Sequence, residues 1–294
     1  MPPLKKTRII SASGSNNEID VVLSSSGVRA AVFIGCLRAL HEKGYEVKRI
    51  AGTSGGAIIA AGYALGKTLD ELEEQAKAVD YPGLRDFRIK NLASLKNPSL
   101  YSGKPLDDLF KRLFENATIR DFQIDCKITV VTVGGRRRRI VIDRNTHPDL
   151  PVWEAVRMSS SIPFIFPYLK LDGVPVTDGG LVVFDNFDIF PENARPSICL
   201  RPKSGATRAD LGEDSLLERK VFLWTLVKAV MDYLVDAIDN QIEISNEWEK
   251  TIPIPTGSIS ALNFNITAED VERLIEYGYN AVMQANCVPA LDIT

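Results

Sequence analysis

Histidine is almost missing from this chain: His41 and His147 are the only two in 294 residues. A hydroxyl or thiol nucleophile that needed an imidazole base would have just these to draw on. Cysteine is sparse as well. Cys36, Cys126, Cys199 and Cys287 are far apart, show no C-x-x-C spacing and lie in or beside apolar stretches, so they read as reduced, buried thiols and exclude a disulfide framework. There is no excess of positive charge, with 35 Lys and Arg against 38 Asp and Glu and a formal net charge of −3. No global basic field draws the chain onto nucleic acid, and any membrane contact must come from a local patch.

Long uninterrupted apolar runs are lacking too. The most apolar stretch, residues 221–238, is broken by Lys228, Asp232 and Asp236 and does not read as a bilayer span. Residues 1–15 carry Lys5, Lys6 and Arg8 with no apolar h-region behind them. That excludes a secretory signal within this stretch and makes a cytoplasmic location the expectation, peripheral contact with a membrane being compatible with it.

What is present is a βαβα pattern. Residues 19–24 form a short β-branched apolar run, followed by a Ser/Gly cluster and by residues 31–43 with apolar positions at helical spacing. A second strand is expected over 47–51 and a small-residue helix over 57–65, which together predict a parallel sheet with helices on its faces. Thr68 with Glu71 three residues on predicts a capping box for a helix over 69–79. Further helices are expected over 104–115 and 152–159, and hairpins over 126–143 and 168–177, the second turning at Asp172-Gly173. Residues 196–200 read as the last central strand and 252–254 as a short strand segment. Residues 202–214 read as a mobile loop and 216–244 as a long helix, and Thr267 caps a final helix over 268–284. With no repeat and no linker, the economical reading is one α/β domain over 19–294 behind an N-terminal extension, residues 1–18.

The chemistry centres on Gly52-Thr53-Ser54-Gly55-Gly56. By chance alone G-x-S-x-G arises in roughly one chain in ten of this length, with Gly and Ser each near 7%. Its position directly after an expected strand and before an expected helix makes it a nucleophile elbow, a tight turn that pushes the serine oxygen outward. A helix N-terminus at Ser54 favours negative charge developing on a substrate oxygen. In the serine, acid, histidine order of α/β-hydrolases a histidine should follow the acid late in the chain. None occurs after His147, so both histidines read as structural or exposed and the base as a carboxylate acting directly on Ser54. Asp178 in Val176-Thr177-Asp178-Gly179-Gly180 closes a strand, and the glycines after it let the chain turn sharply.

These residues resemble the patatin-like phospholipase family over nearly the whole chain. Leu23-Ser24-Ser25-Ser26-Gly27-Val28-Arg29-Ala30 is similar to the family's glycine-rich oxyanion loop, Gly52 to Gly56 to its elbow, and Asp178-Gly179-Gly180 to its acid motif. Residues 155–163, before Phe166-Pro167, are similar to the segment leading into the acid. The resemblance implies a three-layer α/β/α domain with a mostly parallel central sheet, no cofactor and no metal. It implies hydrolysis of acyl esters of phospholipids and related lipids, of phospholipase A or lysophospholipase type, through a Ser/Asp dyad. Ser54 would be the nucleophile and Asp178 its base. The backbone N–H groups of Ser26 and Gly27 would form the oxyanion hole, and Arg29 would fix that loop or face a phosphate.

The chain departs from the family where three glycines are usual and it has Ser25-Ser26-Gly27, and again at Ala30. Serine tolerates positive φ and close substrate approach poorly, so this loop is where strain or crowding of the substrate is expected. The departure motivates two other readings: a catalytically impaired lipid-binding or regulatory protein, and an acyltransferase using the same acyl-enzyme. For contact with lipid the candidates are residues 162–168 and 221–238, with the second preferred as lid or membrane contact. Arg136 to Arg139 read as a solvated hairpin.

Overall fold

The computed structural model describes residues 17–87, 97–134, 138–181, 189–190, 195–203 and 250–285. Its strands are β1 (Glu18–Leu23), β2 (Glu46–Gly52), β3 (Asp125–Thr132), β4 (Arg139–Ile142), β5 (Leu169–Leu171), β6 (Val174–Asp178), β7 (Ser197–Lys203) and β8 (Thr251–Pro255). The helices are α1 (Val32–Glu42), α2 (Gly55–Ala64), α3 (Leu69–Lys77), α4 (Lys104–Phe114), α5 (Val152–Ser159) and α6 (Ala268–Gln284). The sheet runs β5-β6-β3-β2-β1-β7-β8, with β4 also paired to β3. Strands β3, β2, β1, β7 and β8 are mutually parallel, while β4, β5 and β6 are antiparallel additions. The mostly parallel α/β class expected from the sequence is the one the chain adopts.

Strand β1 lies at the centre because it is apolar on both faces. Val21 and Leu23 join the large core beneath the helices, and Val22 joins a small cluster with Ala51, Ile189, Phe190 and Cys199. Both local signals at helix starts are realised: Thr68 and Thr267 each accept a hydrogen bond from the N–H three residues on and close capping boxes with Glu71 and Asp270. Asp172 and Gly173, at φ 50° and 80°, make the tight turn between β5 and β6, the double positive φ that a two-residue hairpin turn needs.

Strand β7 is the last central strand, as expected, and the segment expected over 252–254 forms the edge strand β8, which pairs outside it in parallel register. Its sequence, Thr-Ile-Pro-Ile-Pro, carries prolines that an edge strand tolerates and a central one does not. The segment expected to be a mobile loop begins inside β7, whose last residues are Pro202 and Lys203. The remainder of that loop, the helix over 216–244, Arg136, Arg137 and Cys287 lie outside the described residues. Cys36, Cys126 and Cys199 are buried free thiols, as expected.

The register brings three segments to one edge. Leu23 is opposite Gly52 across β1 and β2, so the loops that follow both strands leave the sheet side by side. Gly52 is opposite Ile128 on β3, and two residues further on Val130 is opposite Asp178 on the returning strand β6. An antiparallel strand thereby delivers its last residue to the carboxyl ends of parallel ones, where open α/β sheets place their sites.

Helices α1 and α6 meet at backbone distance. A Cβ on Gly35 would stand 1.8 Å from the Ile275 carbonyl oxygen, and one on Gly278 1.9 Å from that of Val32. Since α1 follows directly from the loop after β1, this contact seats the loop as well. Gly35→Ala and Gly278→Ala are each expected to destabilise the fold by about 1–3 kcal/mol through overpacking, read as a lower midpoint in denaturant melts.

Candidate active site

Ser54 is the hinge between β2 and α2 and has φ 56° and ψ −125°, a conformation rare outside glycine. Its N–H donates to Ser159 Oγ at 2.9 Å, and Ser159 Oγ–H donates to the Thr129 carbonyl at 2.8 Å. The turn is thus tied through the end of α5 to strand β3. Gly55 permits a close approach from the other side: a Cβ there would lie 2.2 Å from Ser26 Oγ and 2.4 Å from the Gly27 carbonyl oxygen. The elbow and the loop after β1 are therefore packed backbone to backbone.

Within that loop the expected strain does not appear. Ser26 adopts φ −134°, and the positive φ falls on Gly27 at 57°. Neither Ser25 nor Ser26 is held at positive φ, and the residue that needs to be glycine is glycine. A Cβ on Gly27 would also meet the Ala261 carbonyl oxygen at 2.1 Å, the same oxygen that accepts from Val28 N–H at 3.0 Å.

Arg29 is buried and fixes the loop. Its Nε donates to the Ser26 carbonyl at 3.1 Å and its Nη1 to Thr256 Oγ1 at 3.3 Å, while the Ser26 carbonyl also accepts from Arg29 N–H at 3.2 Å. Of the two roles the sequence left open for Arg29, the loop-fixing one is the arrangement seen.

Asp178 is 1% exposed. Its Oδ1 accepts from Gly180 N–H at 2.7 Å and its N–H donates to the Ser161 carbonyl at 3.1 Å, and the Ser54 side chain lies near enough to its carboxyl to hold the pKa down. Burial pushes the Asp178 pKa up to about 6 from 3.8, against the opposing pull of the Ser54 side chain and the Gly180 N–H. Gly180 allows the turn after the acid to press on the first loop, since a Cβ there would sit 2.4 Å from Ser25 Oγ.

The two histidines are elsewhere. His41 Nε2 lies 2.8 Å from Tyr63 Oη, and His147 Nε2 lies 3.2 Å from Asp172 Oδ2. Among the described residues no group of His, Cys, Asp and Glu is arranged to hold a metal ion.

Ser54, Gly27 and Gly55 open onto a cavity of about 920 Å³ of atom-free space, part of it open to solvent. Its wall is apolar, formed in part by Ile58, Leu72, Leu84, Leu109, Phe110 and Phe166. Sequence reasoning missed the residues that brace this site. Besides Ser159 and Thr129 these include Arg157, buried at the base of α5, whose Nε donates to Asp107 at 2.6 Å and Nη1 to Ser161 Oγ at 2.7 Å. The signal was a charged residue among apolar ones ahead of three serines, Ser159-Ser160-Ser161.

The fold and the family match place the chain, at family level, among lipid ester hydrolases. Residues 21–191 match the family model described as patatin-like phospholipase, and the chain belongs to that family. It is 31% identical to the uncharacterised protein YqhO of Bacillus subtilis, over 88% of this chain and 95% of that one. It is 29% identical to patatin-like phospholipase domain-containing protein 7 of Rattus norvegicus over 57% of this chain, but that match spans only 12% of the rat protein. Among solved structures, VipD from Legionella pneumophila superposes with a TM-score of 0.59 at 18% identity, covering 90% of this chain and 66% of VipD. This last likeness is one of fold.

A pKa raised on folding means that the native state binds a proton which the unfolded chain has lost. The stability this group contributes is complete below pH 4 and falls away as pH rises through about 6. Asp178→Asn removes the ionisable group, so its stability relative to the unsubstituted protein is expected to rise by about 2 kcal/mol between pH 4 and pH 7. Paired denaturant melts across that range measure it.

Proposed function

We propose that the chain is a serine acyl hydrolase, of phospholipase A or lysophospholipase type, working through a Ser54/Asp178 dyad and an acyl-enzyme. The observation that carries this reading is the juxtaposition of a strained elbow serine and a buried carboxyl at the mouth of an apolar cavity. Asp178 accepts the Ser54 proton as Oγ attacks the ester carbonyl, whose π electrons move onto oxygen. Backbone N–H groups of Ser26 and Gly27 face that oxyanion; among the described residues neither donates to a backbone carbonyl. Collapse expels the alcohol, which takes the proton from Asp178. Water then attacks the acyl-enzyme, passing its proton to Asp178, and the second collapse releases the fatty acid and returns a proton to Ser54.

Three features support a lipid acyl substrate. The cavity wall is suited to an alkyl chain. A carboxylate with pKa near 6 is ionised at neutral pH yet basic enough to accept a proton in the transition state. Phe164 is 57% exposed at φ 65° in the loop whose Ile162 and Phe166 line the cavity, an aromatic placed to meet an apolar lipid surface at the periphery of a membrane. No helix among the described residues is long and apolar enough to cross one. The negative φ of Ser26 removes one of the two grounds for the impaired reading, backbone strain, and leaves the other, the closeness with which substrate can approach a loop that carries serine and alanine side chains.

Ser54→Ala and Asp178→Asn are each expected to lower fatty-acid release from a phospholipid or short acyl ester by at least about a thousandfold. In the unsubstituted protein kcat/KM should rise with pH to a plateau above about 6 as Asp178 ionises. Product analysis with and without an alcohol acceptor separates hydrolysis from acyl transfer. Unchanged release by Ser54→Ala would sink the proposal.

A further inference from the structure

Two buried hydroxyls beside Ser54 have no hydrogen-bond partner among the described residues: Ser26 Oγ, on a residue 1% exposed, and Ser160 Oγ, on one 8% exposed. A buried hydroxyl without a partner carries a desolvation cost that a Cβ alone would not. Neither hydroxyl finds a partner within the described protein, so each is left able to donate to a group that enters the site.

The placement of Ser160 is set by its neighbours. Ser159 Oγ accepts the Ser54 N–H, and the Ser161 carbonyl accepts the Asp178 N–H. Ser160 therefore stands between the anchor of the proposed nucleophile and the anchor of the proposed base. Its own N–H donates to the Val156 carbonyl at 2.9 Å and its carbonyl accepts from Ile162 N–H at 3.0 Å, which holds the residue rigidly with only the side chain unused. That residue lines the apolar cavity alongside Ser54.

Ser26 approaches from the opposite side. Its carbonyl is held by both Arg29 donors, and its Oγ packs over Gly55, the residue after Ser54, at 2.2 Å from where a Cβ would be. Thus one orphan hydroxyl comes from the loop after β1 and the other from the end of α5, with the elbow between them.

We propose that the Ser26 and Ser160 hydroxyls are side-chain donors to the scissile ester of an acyl-lipid substrate, acting beside the backbone N–H groups of the loop after β1. In this arrangement the serine at position 26 adds a donor that a glycine there would lack. No bond to hydrogen is broken at either serine: each O–H donates to an ester oxygen as negative charge develops on it, and keeps its proton. The inference rests on the Ser54/Asp178 reading of the site, and it assigns two residues that reading does not use through their side chains.

The test compares Ser26→Ala and Ser160→Ala with the unsubstituted protein and with Ser54→Ala in three measurements: kcat/KM on a short-chain acyl ester, the final stoichiometry of fluorophosphonate labelling, and the melting temperature. Each alanine variant is expected to lose on the order of 10–100-fold in kcat/KM, as removal of a preorganised donor does. Complete labelling of Ser54 and a melting temperature equal to or above that of the unsubstituted protein should accompany the loss. Rates within twofold of the unsubstituted protein in both variants overturn the proposal. So does a rate loss accompanied by incomplete labelling or a lowered melting temperature, which marks a structural role. Absence of Ser54-dependent turnover and labelling in the unsubstituted protein overturns the dyad reading itself, and this inference with it.

Discussion

The backbone of Ser54 sits where a residue with a Cβ is held only against a cost of about 1–3 kcal/mol, and the surrounding structure is organised to hold it there. The N–H of that residue has a fixed acceptor in Ser159 Oγ, and Ser159 in turn has a fixed acceptor in the Thr129 carbonyl. Relaxing Ser54 to an ordinary φ would break the first bond, leave buried polar groups unpaired and swing the hydroxyl away from Asp178. Each of those losses is comparable to or larger than the strain relieved. The elbow is therefore over-determined by a strand it is not part of, β3, and by a helix that comes a hundred residues later. The same strand β3 carries Val130, the register partner of Asp178, so one element positions both members of the pair.

The loop after β1 is held by a different logic, from the far end of the chain. Ala261 supplies the carbonyl that excludes any side chain at position 27 and receives the Val28 N–H. Thr256 accepts from Arg29, and its single O–H has the Lys203 and Ile259 carbonyls as acceptors, each at 3.1 Å. A guanidinium spent on a carbonyl and a hydroxyl inside the protein is a rigid strut, because its planar donors have fixed directions. That explains how two serines fit where glycines are usual. Left-handed backbone is confined to Gly27, while Ser26 has its carbonyl pinned and its φ negative.

Much of this was legible in the sequence because the signals were local. Gly52 to Gly56 between a strand and a helix announces the elbow. Thr68 with Glu71, and Thr267, announce helix starts, and Asp172-Gly173 announces a turn. The shortage of histidine carried a non-local conclusion, since a missing residue type is missing everywhere, and it directed attention to a carboxylate. What was not legible was tertiary. Nothing in Ser159-Ser160-Ser161 says that the first accepts from the Ser54 N–H, the second lines the cavity and the third holds the Asp178 strand. Nothing in Arg157 or Asp107 says that they pair across α4 and α5, and nothing near Ala261 says that it closes on Gly27. The edge position of β8 could have been read from Pro253 and Pro255, which forbid a central place.

In the proposed dyad a carboxylate serves where an imidazole is more familiar, which raises a question of strength, because an exposed aspartate with a pKa near 4 is a poor acceptor for a serine proton. Burial supplies the answer here. The apolar surroundings that lift Asp178 to about 6 continue into a cavity walled by Leu, Ile and Phe side chains. Low polarity at the acid raises its basicity, and low polarity in the cavity makes it a receptor for an alkyl chain. The two effects require the same absence of water. A chain occupying the cavity would displace solvent next to the dyad and make the carboxylate a stronger base when substrate is bound, since desolvation disfavours its charged form. The Ser54 side chain and the Gly180 N–H beside the Asp178 carboxyl set the opposite limit: they keep the acid ionised at neutral pH, so that it remains an acceptor rather than a protonated bystander.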